Sequence, residues 1–158
     1  MSQWRMFSEL LAEENRLLAD VQSAALALTD ALVKNDPAEI EATERQLEAR
    51  RVLHGTVYAR RIAMQKRGFG DQTLQQVCAY APRGLRAHLF ATTHEILTRG
   101  IGLKLTIDNN RALILAGLDR LAKTVAVLQR AGTEDPRTYR RRGTIPPPTG
   151  SVIVSRRA

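Results

Sequence analysis

With 158 residues the chain is long enough for one domain with its own core and too short for two of ordinary size. Apolar residues make up 44% of it but only seven are aromatic, so the core must be built from Leu, Ile, Val and Ala, a composition suited to helical bundles and not to β architecture. A single cysteine, Cys78, excludes an internal disulfide and a thiolate cluster for zinc, and no run of about 18 apolar residues exists to cross a membrane.

The net charge of +8 is unevenly placed: residues 1–35 carry −2, residues 36–70 carry +2, and residues 71–130 and 131–158 carry +4 each. The excess therefore lies in the second half, half of it in the last 28 residues. The first residues reach a carboxylate at Glu9 without meeting a long apolar run, so they do not read as a secretory signal, and a cytoplasmic protein is expected.

In chain order, apolar positions step by three and four through Trp4, Phe7, Leu11, Leu18, Val21, Ala25, Leu28 and Leu32, with Glu14 as the polar interruption. A helix of thirty residues spans roughly 45 Å and has to lie along a partner of similar length. It stops at Asn35-Asp36-Pro37-Ala38-Glu39, where Asp36 suits a cap, Pro37 the first helical position, and Glu39 the third residue of a capping box. So short a turn makes the flanking helices antiparallel neighbours.

The second helix runs from Pro37 to about Arg67, burying Ile40, Leu47, Val57 or Tyr58, and Met64, although its middle carries Arg50, Arg51, His54, Arg60 and Arg61. Gly68-Phe69-Gly70 ends it. A short helix over 71–80 follows, closed by Ala81-Pro82. From Pro82 to about Ala131 the three-and-four spacing returns without a further proline, with Gly100-Ile101-Gly102 as the candidate kink or break. Beyond Gly132 the pattern vanishes into Thr133-Glu134-Asp135-Pro136, Tyr139, an arginine run, three prolines and Val152-Ile153-Val154, which reads as disordered until bound. The expectation is an all-α, elongated antiparallel helical bundle or coiled coil over 1–131 with a flexible basic tail over 132–158.

At about 100° per residue, with Leu103 as zero, Ile96, Ile107, Ile114, Leu118, Leu121, Val125 and Leu128 fall between about −20° and +60°, the stripe expected to form core. Ile101 and Leu105 fall near 160° and 200°, Leu115 near 120° and Val127 near 240°, on the side expected to be wet. Either a neighbouring helix of the same chain covers them, or another protein does, since a face with spare aliphatic side chains receives an amphipathic helix from another chain. The binding set expected on the second reading is Ile101, Leu105, Leu115 and Val127, joined by Leu118 from the stripe. Asn109 and Asn110 lie mid-helix, and Asn110 falls on the core stripe, where an asparagine fixes register.

His54, His88 and His94 have no helical spacing to one another and no nearby cysteine, so no metal or cofactor is expected. No nucleophile elbow, phosphate-binding glycine loop or His-Glu-x-x-His pair occurs, and an enzyme is not expected. Tyr139-Arg140-Arg141-Arg142 offers an aromatic and an arginine run to nucleic acid, the alternative reading. An arginine run in such a tail more simply serves as a solvated segment or an aid to meeting an acidic protein surface.

The order of these pieces resembles the FlgN family, the cytosolic export chaperones of the bacterial flagellum. The resemblance covers nearly the whole chain and rests on the Leu-rich first helix ending in Lys34-Asn35-Asp36-Pro37, the charged second helix, Asp108-Asn109-Asn110-Arg111 in the last helix, and Thr138-Tyr139 followed by Gly143. It implies that the clients are the hook-filament junction proteins FlgK and FlgL, held through the C-terminal helical half so that they do not associate before export. It also implies contact with the export gate protein FlhA through a tail tyrosine, for which Tyr139 is the matching position. Arg140-Arg141-Arg142 make that stretch more basic than the family pattern.

Overall fold

A computed structural model describes residues 2–133 as four α-helices, with no strand among them: α1 (Ser2–Lys34), α2 (Pro37–Phe69), α3 (Leu74–Ala79) and α4 (Arg83–Thr133). The class is all-α, as the apolar spacing required. The chain divides into two units, Met1–Asp119 and Arg120–Ala158.

In the first unit, α1 ends in a left-handed residue, Asn35, with φ of 55°. Its N–H donates to the Leu32 carbonyl and that of Asp36 to the Ala31 carbonyl, the two bonds of a Schellman ending. The Asp36 carboxylate then accepts from the N–H groups of Ala38 (3.0 Å) and Glu39 (3.2 Å), capping α2 as expected. The expected reciprocal bond from Glu39 is replaced by another. Its carboxylate accepts from Lys34 Nζ at 2.9 and 3.2 Å across the turn, and this hydrogen bond raises the Lys34 pKa. A capping box forms instead at α3, between Thr73 and Gln76, so that helix starts later than expected. α2 is closed by Gly70, whose φ of 71° suits a residue without a Cβ, with its N–H on the Lys66 carbonyl.

Cross-helix bonds give the register. Arg61 with Glu14, Arg50 with Asp20 and Lys34 with Glu39 keep residue numbers summing to a near-constant value, so α1 and α2 are antiparallel. Asn15 with Glu95 and Arg99, Ala25 with Asn110, and Thr29 with Asn110 instead keep a separation of 80 to 85 residues, so α4 runs parallel to α1. One cluster gathers Phe7 and Leu11 with Val77 and Cys78 from α3, Ala81 from the connection that follows it, and Leu89 from α4. The other joins Leu10 and Leu17 to Val57 on α2. Thus α1 is buried on two sides, by α2 and by α3–α4, which is why Leu10, Leu17, Ala24 and Ala31 are buried beside the expected seam. Trp4 closes one end, its ring 4.6 Å from Phe69 and 6.3 Å from Phe7.

Glu14 is the polar interruption of the seam, and the structure supplies its partner. Arg61 Nε and an η nitrogen donate to the two carboxylate oxygens at 2.7 and 3.1 Å, while its other η nitrogen donates to Gln65 Oε1 at 2.8 Å. Gln65 in turn donates to the Gln72 carbonyl, tying the α2–α3 connection to the pair. Both charges are buried, so each relies on the other in place of water. Of the other residues expected in the α2 core, Val57 is buried, Ile40, Leu47 and Met64 are half-buried, and Tyr58 is exposed.

Gly100-Ile101-Gly102 does not break α4, which is helical throughout. Gly102 instead meets α1: a Cβ there would lie 2.9 Å from Gln22 Nε2. The missing side chain serves close approach of two helices at that point.

Candidate functional site

The side of α4 that faces α1 is polar. Arg99 Nε donates to Asn15 Oδ1 (3.1 Å), and Asn15 Nδ2 donates to Glu95 Oε2 (2.7 Å). Further along, the buried Asn110 donates from Nδ2 to the Ala25 carbonyl (3.0 Å) and accepts from the Thr29 hydroxyl (2.6 Å). Asn110 therefore fixes the register of α4 on α1, the role expected of a seam asparagine, whereas Asn109 is exposed.

Because Arg99, Gly102, Thr106 and Asn110 occupy that side, the centre of the α1-facing surface is rotated by about 75° from the centre of the aliphatic stripe, at roughly 100° per residue. The stripe expected to form core is accordingly not core in this part of α4. Leu103 and Ile96 are half-buried, but Ile107, Ile114 and Leu118 are exposed. Register adds a second cause. With an offset of 80 to 85 residues, Lys34 at the end of α1 is level with about residue 115, so α1 does not extend as far as Leu118.

The side chains assigned to binding are all exposed. Within the first unit the values are 67% for Ile101, 64% for Leu105, and 57% for both Leu115 and Leu118. They fall in two pairs: Ile101 with Leu105, one turn apart, and Leu115 with Leu118, one turn apart. The pairs are separated by ten residues, about 15 Å of rise, and by roughly 80° of rotation. Ile107 and Ile114 lie on the same flank as Leu115 and Leu118 and extend it, which the sequence reading missed by counting them as core. Of the second unit the structure describes residues 120–133, where Val127 is exposed, as are Leu121, Val125 and Leu128, three more residues expected in the core stripe. Tyr139 and the arginine run lie outside the described residues.

The short helix α3 leaves Ile101, Leu105, Leu115 and Leu118 exposed, its own Val77 and Cys78 packing with Phe7, Leu11 and Leu89. Among the described residues no helix is long and apolar enough to cross a membrane, and no group of three His, Cys, Asp or Glu side chains could hold a metal ion.

Fold and surface together define an all-α protein with an exposed aliphatic face on α4. The family model for the FlgN protein matches residues 3–147, and the chain belongs to the FlgN family. Membership makes it a flagellar export chaperone. No curated protein and no solved structure matches the chain.

Proposed function

We propose that the chain is a cytoplasmic chaperone for the hook-filament junction proteins FlgK and FlgL, that α4 receives a client helix on Ile101, Leu105, Leu115 and Leu118, and that Val127 adds a contact of its own. The observation that carries this reading is the exposure of those aliphatic side chains on a helix whose inner side is already satisfied by polar bonds to α1. Covering the four side chains of the first unit contributes ~6 to 12 kcal/mol gross, at ~1.5 to 3 kcal/mol each, before the cost of ordering the client. A micromolar complex requires about 8 kcal/mol net, so neighbours such as Ile107 and Ile114 have to share the contact. The basic tail over 132–158 would bring the loaded chaperone to the export gate protein FlhA through Tyr139.

Coexpression with FlgK and with FlgL tests the first step. Copurification is expected with at least one of them and is expected to be lost in the variant Ile101→Asp, Leu105→Asp. Absence of both partners from the purified wild-type complex would end the reading. Tyr139→Ala is expected to leave client affinity intact while lowering export, and an equal loss of both would place the tyrosine in the client site instead.

A further inference from the structure

A second exposed trough lies on the flank of α1 turned away from α4. It is about 510 Å³ in volume, walled by Gln3, Met6 and Leu10 on α1 and by Arg60, Met64 and Arg67 on α2. Both sets step by three and four, so the walls follow the helix axes for about two turns, or roughly 10 Å. Leu10 and the half-buried Met64 form an apolar floor, and Met6 is 55% exposed at its edge. Gln3 packs on Gly68, so α1 and α2 are drawn close at that end of the groove.

The charge of this groove is one-sided. Between Glu48 and Glu95 the sequence has a single carboxylate, Asp71, against eight lysines and arginines. Arg50, Arg51 and Arg61 are answered by Asp20, Glu48 and Glu14. Neither Arg60 nor Arg67 forms an ion pair among the described residues, Arg67 Nε donating to the Ala63 carbonyl (3.4 Å), and no carboxylate lines the groove. The basic charge left uncompensated by the fold therefore includes two guanidinium groups beside an apolar floor.

We propose that this groove binds an acidic amphipathic helix of a partner protein, with aliphatic side chains on Met6, Leu10 and Met64 and carboxylates on Arg60 and Arg67. A polyanion without apolar groups would use the arginines and leave the floor wet. An apolar helix without acids would leave the arginines unanswered. The site is separate from the α4 surface. By the register of α4 on α1, Ile101 and Leu105 are level with residues 16 to 25 of α1 and Ile107 and Ile114 with the turns after them, whereas the groove spans residues 3 to 10, so the nearest part of the α4 surface begins about 9 Å further along the axis. Both surfaces can be occupied at once.

The test uses the full chain and a fluorescein-labelled peptide of about 16 residues, with Leu at i, i+3, i+4 and i+7 and Glu between, read by anisotropy. The same peptide with Lys for Glu, and poly-glutamate of equal length, serve as comparisons. Arg60→Glu with Arg67→Glu is expected to weaken the Leu–Glu peptide at least about tenfold, as is Met6→Asp, with poly-glutamate and the Lys peptide at least about tenfold weaker on the wild type. Arg60→Ala with Arg67→Ala reads the same loss without charge reversal, and Trp4 fluorescence confirms that each variant is folded. Ile101→Asp with Leu105→Asp should leave the peptide unaffected. Equal binding of poly-glutamate, indifference to the arginine variants, or loss in the α4 variant would each overturn the proposal. Self-association in sedimentation that the groove variants abolish, without peptide binding by the wild type, would assign the groove to a second copy of the chain and overturn it too.

Discussion

Replacing Glu14 by Ala tests whether the first unit depends on its buried ion pair. Glu14 is 1% and Arg61 5% exposed, and the two share hydrogen bonds at 2.7 and 3.1 Å. Removing the carboxylate leaves a buried guanidinium with the Gln65 amide oxygen and the Tyr58 ring, 5.0 Å away, as its partners. Stranding one charge of such a pair costs about 3 to 5 kcal/mol, against a total stability on the order of 5 to 15 kcal/mol. For a chain of this size that lowers the unfolding midpoint by about 6 to 20 °C. Thermal and urea unfolding followed by Trp4 fluorescence is the assay, because Trp4 packs against Phe7 and Phe69 where α1 and α2 meet. Glu14→Leu combined with Arg61→Leu should recover most of the loss, since both desolvated charges are then gone and only the Gln65 bond, about 1 kcal/mol, is missing. A single variant within about 1 kcal/mol of wild type would refute the reasoning, and so would a double variant no more stable than the single one.

Two glycines of α4 should behave differently. A Cβ at Gly100 meets open space, so Gly100→Ala should stabilise by up to about 1 kcal/mol, whereas Gly102→Ala should gain less because Gln22 must move; urea midpoints compare them. Asn110→Ala removes both of its bonds to α1 and should cost about 1 to 2 kcal/mol, with faster amide exchange over 99–113 as the sign that α4 has loosened from α1. Asp36→Ala removes the α2 cap and should cost about 1 kcal/mol in thermal unfolding.

The helices of this chain are legible in its sequence because Pro37, Gly70 and Pro82 punctuate it and apolar residues recur at helical spacing between them. The partner of Glu14 was within reach too: a hairpin turning at Asn35 and Asp36 places residues near 57 to 61 opposite position 14, and Arg61 is there. What the sequence withheld is the direction in which α4 faces. Periodicity groups Ile107, Ile114 and Leu118 on one flank, but it cannot say that the inner side is the polar one carrying Arg99, Thr106 and Asn110. That outcome depends on Asn15, Gln22 and Thr29 standing opposite, on a helix 80 to 85 residues away, and no local pattern records such a register. The exposure of Ile101, Leu105, Leu115 and Val127 is one of the two outcomes the sequence left open, whereas that of Leu118, on the stripe expected to form core, and the extent of the open aliphatic surface around them were not anticipated.

The claim that α4 is the face that holds a client is tested most directly by photocrosslinking. A benzophenone side chain is placed in turn at Leu105, Leu115 and, as a reference on α2, Arg45, each in the full chain mixed with FlgK or FlgL. Crosslinks to a client from 105 and 115 and none from 45 are the expected result; equal labelling from all three positions, or labelling from 45 alone, would contradict it.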